Sequence, residues 1–313
     1  SSSAASDVYK RQLIGLIPVV FGLSFIVFFC MYAAPGDAAS KLLASQGIAV
    51  DKAVIEDLRV GMGLNRSFFE QYFSWLFAVL RGDLGLSFVD SKPVLVKLLK
   101  ASTYTLILAS SSLTLALIIS LPLGFICAVS ENKFSDHVIK LFSFISNAMP
   151  NFLISILLIY FFSIKLKIFP VIAKKSIIGL TLPTLSLALP ISGRFIRQIR
   201  AEVLSELDKS YIVGLRQRGL KSSYILFANV LHNCMGAILT IVGLSFGTLI
   251  GGSVVTETIF NWQGLGTVVM SAITNRDYPV VQGFVLLISL AYVLINLLTD
   301  FSYHLLDPRI ELK

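Results

Sequence analysis

The chain has 313 residues, of which 55% are hydrophobic and 14% are charged, and its formal net charge is +8. A soluble domain of this size does not need so large an apolar fraction, whereas a bundle of lipid-embedded helices does. The cations flank apolar runs instead of alternating with aromatic residues, which favours orientation in a bilayer and argues against nucleic acid as a partner.

The first apolar run follows a short polar tail. Residues 1–12 carry no initiator methionine and no apolar core, so we treat them as a tail that need not be native. Residues 13–33 are long enough for a first span, at roughly 20 residues per crossing. Lys10 and Arg11, just before this run, predict a cytoplasmic N-terminus.

A long segment of mixed charge, residues 34–100, follows the first span and is predicted to be external. Its middle, Ser67–Leu80, is aromatic and amphipathic, and Ser67 with Glu70 forms a capping box at its start. Two interpretations of this helix remain open. It lies along the membrane interface, or it packs in an ordinary external subdomain.

Five further apolar runs predict five more spans, over residues 102–129, 138–163, 177–193, 235–255 and 280–299. Six spans place both termini on the cytoplasmic side, with residues 300–313 as a cytoplasmic C-terminus and 101–310 as the main membrane domain. Pro150 is predicted to kink the third span because proline removes a backbone hydrogen bond. Small residues in the fifth span predict close helix packing, at Gly243, Gly247, Gly251 and Gly252.

A polar island, residues 194–233, separates the fourth span from the fifth. It holds seven cations, Arg194, Arg197, Arg200, Lys209, Arg216, Arg218 and Lys221. Its second half predicts two short amphipathic helices broken at Gly219, which can take the positive φ of a helix C-cap. The expected apolar faces consist of Tyr211, Ile212 and Leu215 in the first helix and Tyr224, Phe227 and Leu231 in the second. The pattern fits either a protein-docking edge or an ordinary solvated loop.

The cores of the predicted spans contain no Asp, Glu, Lys, Arg or His. Such residues are the usual markers of ion or proton coupling within a membrane. The three cysteines and three histidines show no metal-type spacing. We therefore predict no catalytic, cofactor-binding or metal-binding residue, and an energy source outside this chain. A self-contained ion-coupled secondary transporter remains the alternative, because carbonyls and hydroxyls can hold sodium.

Several motifs in this order resemble the inner-membrane permease subunits of bacterial ABC importers in the dipeptide, oligopeptide and nickel group. They are LIPVVFGLSFIVFF with Pro35–Asp37, Gly63–Phe88, Met149–Phe152, Glu257–Gly266, Ala272–Gly283, Asn296–Asp300 and Leu306–Ile310. The resemblance covers almost the whole chain after Leu13. It implies an all-α membrane protein with the six-helix, type I (MetI-like) permease fold and a cytoplasmic coupling-helix loop.

The resemblance also implies a role for the polar island as the contact with an ATPase subunit. The residues assigned to this coupling loop are Tyr211, Leu215, Arg216, Gln217, Arg218, Gly219 and Leu220. Leu215 and Gln217 stand where small residues are usual in the family. Asn229, His232 and Ala237 also depart from the pattern, and these departures concern partner choice more than fold.

The implied assembly contains a second homologous permease chain, two ABC ATPases that bind ATP and Mg²⁺, and an extracytoplasmic binding protein. This chain would be a non-enzymatic, multi-pass subunit of the bacterial inner membrane. The short connection between Phe169 and Pro183 favours a nickel-type permease over a peptide permease, although di- or oligopeptides remain nearly as well supported.

Overall fold

The computed structural model describes residues 18, 20–34, 36, 38–45, 52–173 and 176–306. The N-terminal tail, the start of the first predicted span and the end of the C-terminus lie outside these residues. Within them the chain is almost entirely helical, with one isolated antiparallel bridge between Leu86 and Pro93. The chain divides into two compact units. The first comprises residues through Thr105 and Gln263–Val293, and the second comprises Leu106–Trp262 and the residues from Leu294 onward.

The helices are numbered in chain order. They are α1 (Val20–Ala33), α2 (Ala38–Ser45), α3 (Lys52–Gly61), α4 (Phe68–Leu80), α5 (Val94–Val129), α6 (Phe134–Ala148), α7 (Asn151–Leu158, continued by a π-helix, Ile159–Lys165), α8 (Ile177–Leu207), α9 (Ser210–Gln217), α10 (Ser222–Gly252, with a π-helical stretch at Ile225–Val230), α11 (Val254–Phe260), α12 (Leu265–Asn275) and α13 (Tyr278–Leu306).

Four of these helices, α5, α8, α10 and α13, are each long and apolar enough to cross a membrane. Two bent pairs raise the number to six if each pair is one span. The helix axes bend by 61° between α1 and α2 and by 100° between α6 and α7. The predicted all-helical membrane fold is therefore confirmed, with four to six candidate spans.

Several predicted boundaries differ from the observed helices. α5 begins at Val94, eight residues before the predicted start of the second span at residue 102. Within the first turn of α5, the Lys97 ammonium lies 3.3 Å from the Asp90 carboxylate. α8 continues to Leu207, which makes the first part of the polar island an extension of the fourth span. α13 is also longer than the predicted span.

The chain breaks at Met149–Pro150, where we predicted only a kink in a continuous span. Met149 and Pro150 are both extended, with ψ of 129° and 143°, and α7 restarts at Asn151. Proline has no N–H and disfavours helical geometry in the residue before it. Pro183 and Pro190, by contrast, lie inside the continuous helix α8.

In the first unit, α4 has one packed face and one exposed apolar face. Tyr72 is buried, and its ring meets those of Phe25 and Phe28 edge to face at 5.3 and 5.5 Å. The predicted capping box is confirmed by hydrogen bonds in both directions between Ser67 and Glu70. The backbone hydrogen bond from Ser67 also lowers the pKa of Glu70. The exposed stripe consists of Phe69, Phe73, Phe77 and Leu80.

In the second unit, α6 packs closely against α8. A Cβ placed on Gly193 would lie 2.5 Å from the Ser143 carbonyl oxygen, and the Ser143 hydroxyl donates a hydrogen bond to the Gly193 carbonyl. Ile139 and Ile196 are buried in this contact. Glycine is required at position 193 because the neighbouring atom belongs to the backbone and cannot rotate away.

Candidate coupling surface

The second half of the polar island forms a helix–turn–helix. α9 ends at Gln217, Gly219 follows with φ of +78°, and the chain becomes helical again at Ser222. The left-handed conformation of Gly219 is the one predicted from the sequence, and a side chain there would be strained. The turn therefore presents Arg216, Gln217 and Arg218 together at the end of α9.

A buried carboxylate, Glu206 at the end of α8, links α8 to α9 and to α10. Its Oε1 accepts hydrogen bonds from the Tyr211 hydroxyl at 2.6 Å and from the Asn233 amide at 2.9 Å, and its Oε2 pairs with the Lys209 ammonium. The Asn233 amide also donates to the Tyr211 hydroxyl oxygen at 3.0 Å. One carboxylate thus links the end of α8, the start of α9 and the start of the α10 transmembrane stretch.

The Glu206 contacts also change the acidity of the groups around it. Burial and, after it, the hydrogen bond to the Glu206 carboxylate together raise the pKa of Tyr211 to about 12. The hydrogen bond to Glu206 likewise raises the pKa of Lys209. Both groups therefore keep their protons at neutral pH, as this network requires.

The exposed apolar edge differs in part from the predicted faces. Ile212 is fully buried, and so are Ile225 and Val230, which the sequence interpretation did not select. These three side chains anchor the two helices, and Ile225 and Val230 are the first and last residues of the π-helical stretch. The exposed large apolar side chains are Val213, Leu220, Tyr224 and Phe227, the last with 69% of its surface accessible.

These four apolar residues, together with the exposed Arg216, Gln217, Arg218 and Lys221, are called the coupling surface below. No side-chain hydrogen bond or ion pair of Arg216, Arg218 or Lys221 occurs among the described residues. An apolar edge with cationic flanks on a fixed scaffold is suited to docking on another protein. Tyr211 and Leu215 are only half-buried and lie beside this edge.

The seven cations of the polar island do not form one patch. Lys209 pairs with Glu206, and Arg200 donates to the buried Asp136 carboxylate at 3.0 Å. Lys140 binds the second Asp136 oxygen at 2.7 Å, so Asp136 joins α6 to α8. Asp136 falls between the predicted second and third spans, and neither carboxylate centre was predicted from the sequence. The only local signal was an acidic residue with a cation three or four positions later.

The glycines predicted to pack closely behave differently from one another. A Cβ on Gly243 would clash with the Thr299 side chain, which marks a close approach of α10 and α13. Gly247 is buried. At Gly251 and Gly252 a Cβ would meet nothing within 4 Å, so the prediction of close packing is wrong for these two within the described chain. Helical spacing alone does not tell which side of a helix has a neighbour.

We expect Tyr211→Phe to destabilise the chain by about 1.5–3 kcal/mol, the usual contribution of a hydrogen bond to a charged group. Thermal unfolding in detergent would measure this loss, with Tyr224→Phe as the matched control because Tyr224 is exposed. The hydrogen bond contributes fully below the unfolded-state pKa of about 10, and its contribution is lost as pH rises through the folded pKa of about 12. The difference in melting temperature between Tyr211→Phe and the native chain should therefore narrow above pH ~10. Equal melting of the two variants would contradict the role given to Tyr211.

Two family models match this chain. The model of the binding-protein-dependent transport system inner membrane component matches residues 120–312, and the model of its N-terminal region matches residues 8–109. The chain is 35% identical over 303 residues to the glutathione transport system permease protein GsiC of Escherichia coli O6:H1 (strain CFT073), covering 97% of this chain and 98% of the relative. The GsiC protein of Shigella flexneri serotype 5b is 34% identical over the same shares.

Two solved structures share the fold. An inward-facing MetNI methionine ABC transporter chain matches with a TM-score of 0.59 at 17% identity, over 69% of this chain and 99% of that one. A chain of an amino acid ABC transporter with histidines matches with a TM-score of 0.55 at 16% identity, over 66% and 93%. The family models and the near-complete match to permease relatives agree with the helical membrane fold. The chain therefore belongs to the binding-protein-dependent transport system inner membrane components, the permease subunits of ABC importers.

Proposed function

We propose that this permease forms part of the pathway by which a bacterial ABC importer moves small peptides of the glutathione class across the inner membrane. The observation that carries the proposal is the match to glutathione permeases over 97% of this chain and 98% of the relative. A match of that extent includes the external segment and every candidate span. Nickel becomes the second candidate substrate, because its only support in the sequence is the short connection between Phe169 and Pro183.

In the proposed assembly, a second homologous permease chain completes the pathway and two ATPases bind ATP and Mg²⁺ on the cytoplasmic side. The coupling surface is the ATPase contact. Its support is structural: the edge is exposed, and Glu206 fixes it to two long helices, so a movement of the ATPase would be transmitted to α8 and α10. Both termini are cytoplasmic, and an external binding protein delivers the substrate.

The test is uptake of sulfur-labelled glutathione and of radioactive nickel in cells that carry or lack this gene. We expect deletion to abolish glutathione uptake, and reintroduction of the gene to restore it, while nickel uptake is unchanged. A loss of nickel uptake alone would overturn the peptide class and favour the nickel importer. Uptake by the purified chain alone, in liposomes under an ion gradient and without ATP, would favour the secondary transporter.

A further inference from the structure

The first unit contains a cavity of about 1040 Å³ that shares no residue with the coupling surface. It is lined by residues of α1, α2, α3, α4 and the start of α13, by the turn from Met62 to Arg66 and by the turn from Asp83 to Ser91. Small-molecule sites in proteins have volumes of roughly 300–1,000 Å³. The cavity is therefore large enough for a ligand the size of a short peptide.

The wall of this cavity combines aromatic surface with charge of both signs. The charged residues are Arg59, Arg66 and Asp83, and the aromatic surface is supplied by Phe28, Tyr32, Trp75, Phe88 and Tyr278. The guanidinium of Arg59 already lies 3.4 Å from Glu56, so Arg66 is the principal cation toward a ligand. A pocket with apolar walls and a few polar groups is typical of small-molecule recognition.

Helix α4 has a cavity-lining side and an exposed apolar side. At 100° per residue, the cavity-lining Gln71, Ser74, Trp75 and Ala78 share one side, and the exposed apolar stripe defined above lies on the opposite side. The most polar side of the helix therefore faces the cavity, and the apolar stripe is turned away from it. Of the polar residues on the cavity side, Gln71 is half-buried and Ser74 is exposed.

The turn that carries Arg66 is held in place by its neighbours. The Gln71 side-chain amide donates to the carbonyls of Arg66 at 2.8 Å and Leu64 at 3.3 Å, and Gly63 has φ of +70°. The Arg66 guanidinium itself donates no hydrogen bond to any residue that the structure describes. Its position is thus determined by the backbone, while its charged group is available to a ligand.

Two further groups lack partners in the described part of the chain. The indole N–H of Trp75 is buried without a hydrogen-bond acceptor, which costs about 1–3 kcal/mol unless a ligand or water supplies one. The Asp83 carboxylate uses Oδ1 to accept from the Gly85 N–H at 2.8 Å, and its Oδ2 has no such contact. A donor, a cation and a carboxylate therefore surround the same cavity.

We propose that this cavity is a binding site for a short peptide, whose carboxylate pairs with Arg66, whose ammonium pairs with Asp83 and whose side chains contact the aromatic wall. The peptide class of the ligand rests on the proposed function. A zwitterionic peptide carries each complementary group, whereas a bare metal cation would be repelled by Arg59 and Arg66. The cavity would hold the substrate on the outer side before translocation.

The test is equilibrium binding of labelled glutathione to the purified permease complex, with neither ATP nor binding protein present, and with the dipeptide Ala-Phe as second probe. We expect Arg66→Gln to weaken binding about tenfold or more, the usual loss of one charged hydrogen bond. Arg66→Lys should restore part of the affinity because it retains the charge. Arg81→Gln is the matched control, since Arg81 is an exposed arginine at the other end of α4 and does not line the cavity.

Each outcome separates this site from the proposed transport function. Binding that is equal in Arg66→Gln and Arg81→Gln, or equal for glutathione and its dimethyl ester, would overturn the site. The site would also be overturned if Arg66→Gln weakened the binding of neither glutathione nor Ala-Phe, even if glutathione uptake in cells depends on the gene. Arg66-dependent binding of Ala-Phe with unchanged glutathione uptake in the deletion strain would instead leave the site standing and refute only glutathione as the substrate. Unchanged melting of Arg66→Gln excludes misfolding as the cause.

Discussion

Cells that carry the double variant Arg216→Glu/Arg218→Glu are expected to lose ATP-driven uptake almost completely while the chain still accumulates in the membrane. Both arginines are exposed at the end of α9 and make no side-chain hydrogen bond or ion pair among the described residues, so their reversal leaves the fold intact. Reversing two charges replaces attraction to a docking partner with repulsion, and like-charge juxtaposition at an interface costs several kcal/mol. The measurement is uptake, with membrane content by immunoblot.

The matched control for this variant is Arg194→Glu/Arg197→Glu. These two arginines are also exposed and also belong to the polar island, but they lie on α8 and outside the coupling surface. We expect the control to retain most of its uptake. Equal loss in both double variants would show that general charge matters and not the coupling surface, and normal uptake by Arg216→Glu/Arg218→Glu would refute the ATPase contact.

Gly193→Ala is expected to destabilise the chain by about 1–3 kcal/mol, the usual cost of overpacking a close contact. The added methyl group would lie 2.5 Å from the Ser143 carbonyl oxygen, so α6 and α8 would have to separate. That movement would stretch the hydrogen bond from Ser143 to Gly193 and the pairing of Arg200 with Asp136. Lower membrane yield and a lower melting temperature in detergent would measure the effect.

Gly251→Ala is the control for this prediction, because a Cβ there meets no atom within 4 Å. Alanine exceeds glycine in helix propensity by about 0.8–1.0 kcal/mol, so we expect this control to melt at the same temperature as the native chain or slightly above it. If Gly193→Ala melts like Gly251→Ala, the contact between α6 and α8 is not as close as described.

The sequence by itself determined the membrane class, the order of the apolar helices, the capping box of α4 and the positive φ of Gly219. Each of these follows from local chemistry. Apolar length and charge decide what enters lipid, a serine and a glutamate three positions apart cap a helix, and glycine tolerates a left-handed turn. The family resemblance also came from the sequence, because its motifs occur in a fixed order along the chain.

Only the tertiary structure decided which polar residues are paired and which apolar side chains remain exposed. Arg200 binds Asp136 across 64 positions, and Asn233 binds Glu206 across 27, separations that no helical period predicts. The same holds for Gly193 and Gly251, which are alike as residues and differ only in whether another helix lies against them. Local patterns determine secondary structure, whereas pairing, burial and close approach depend on neighbours that the chain brings together only when it folds.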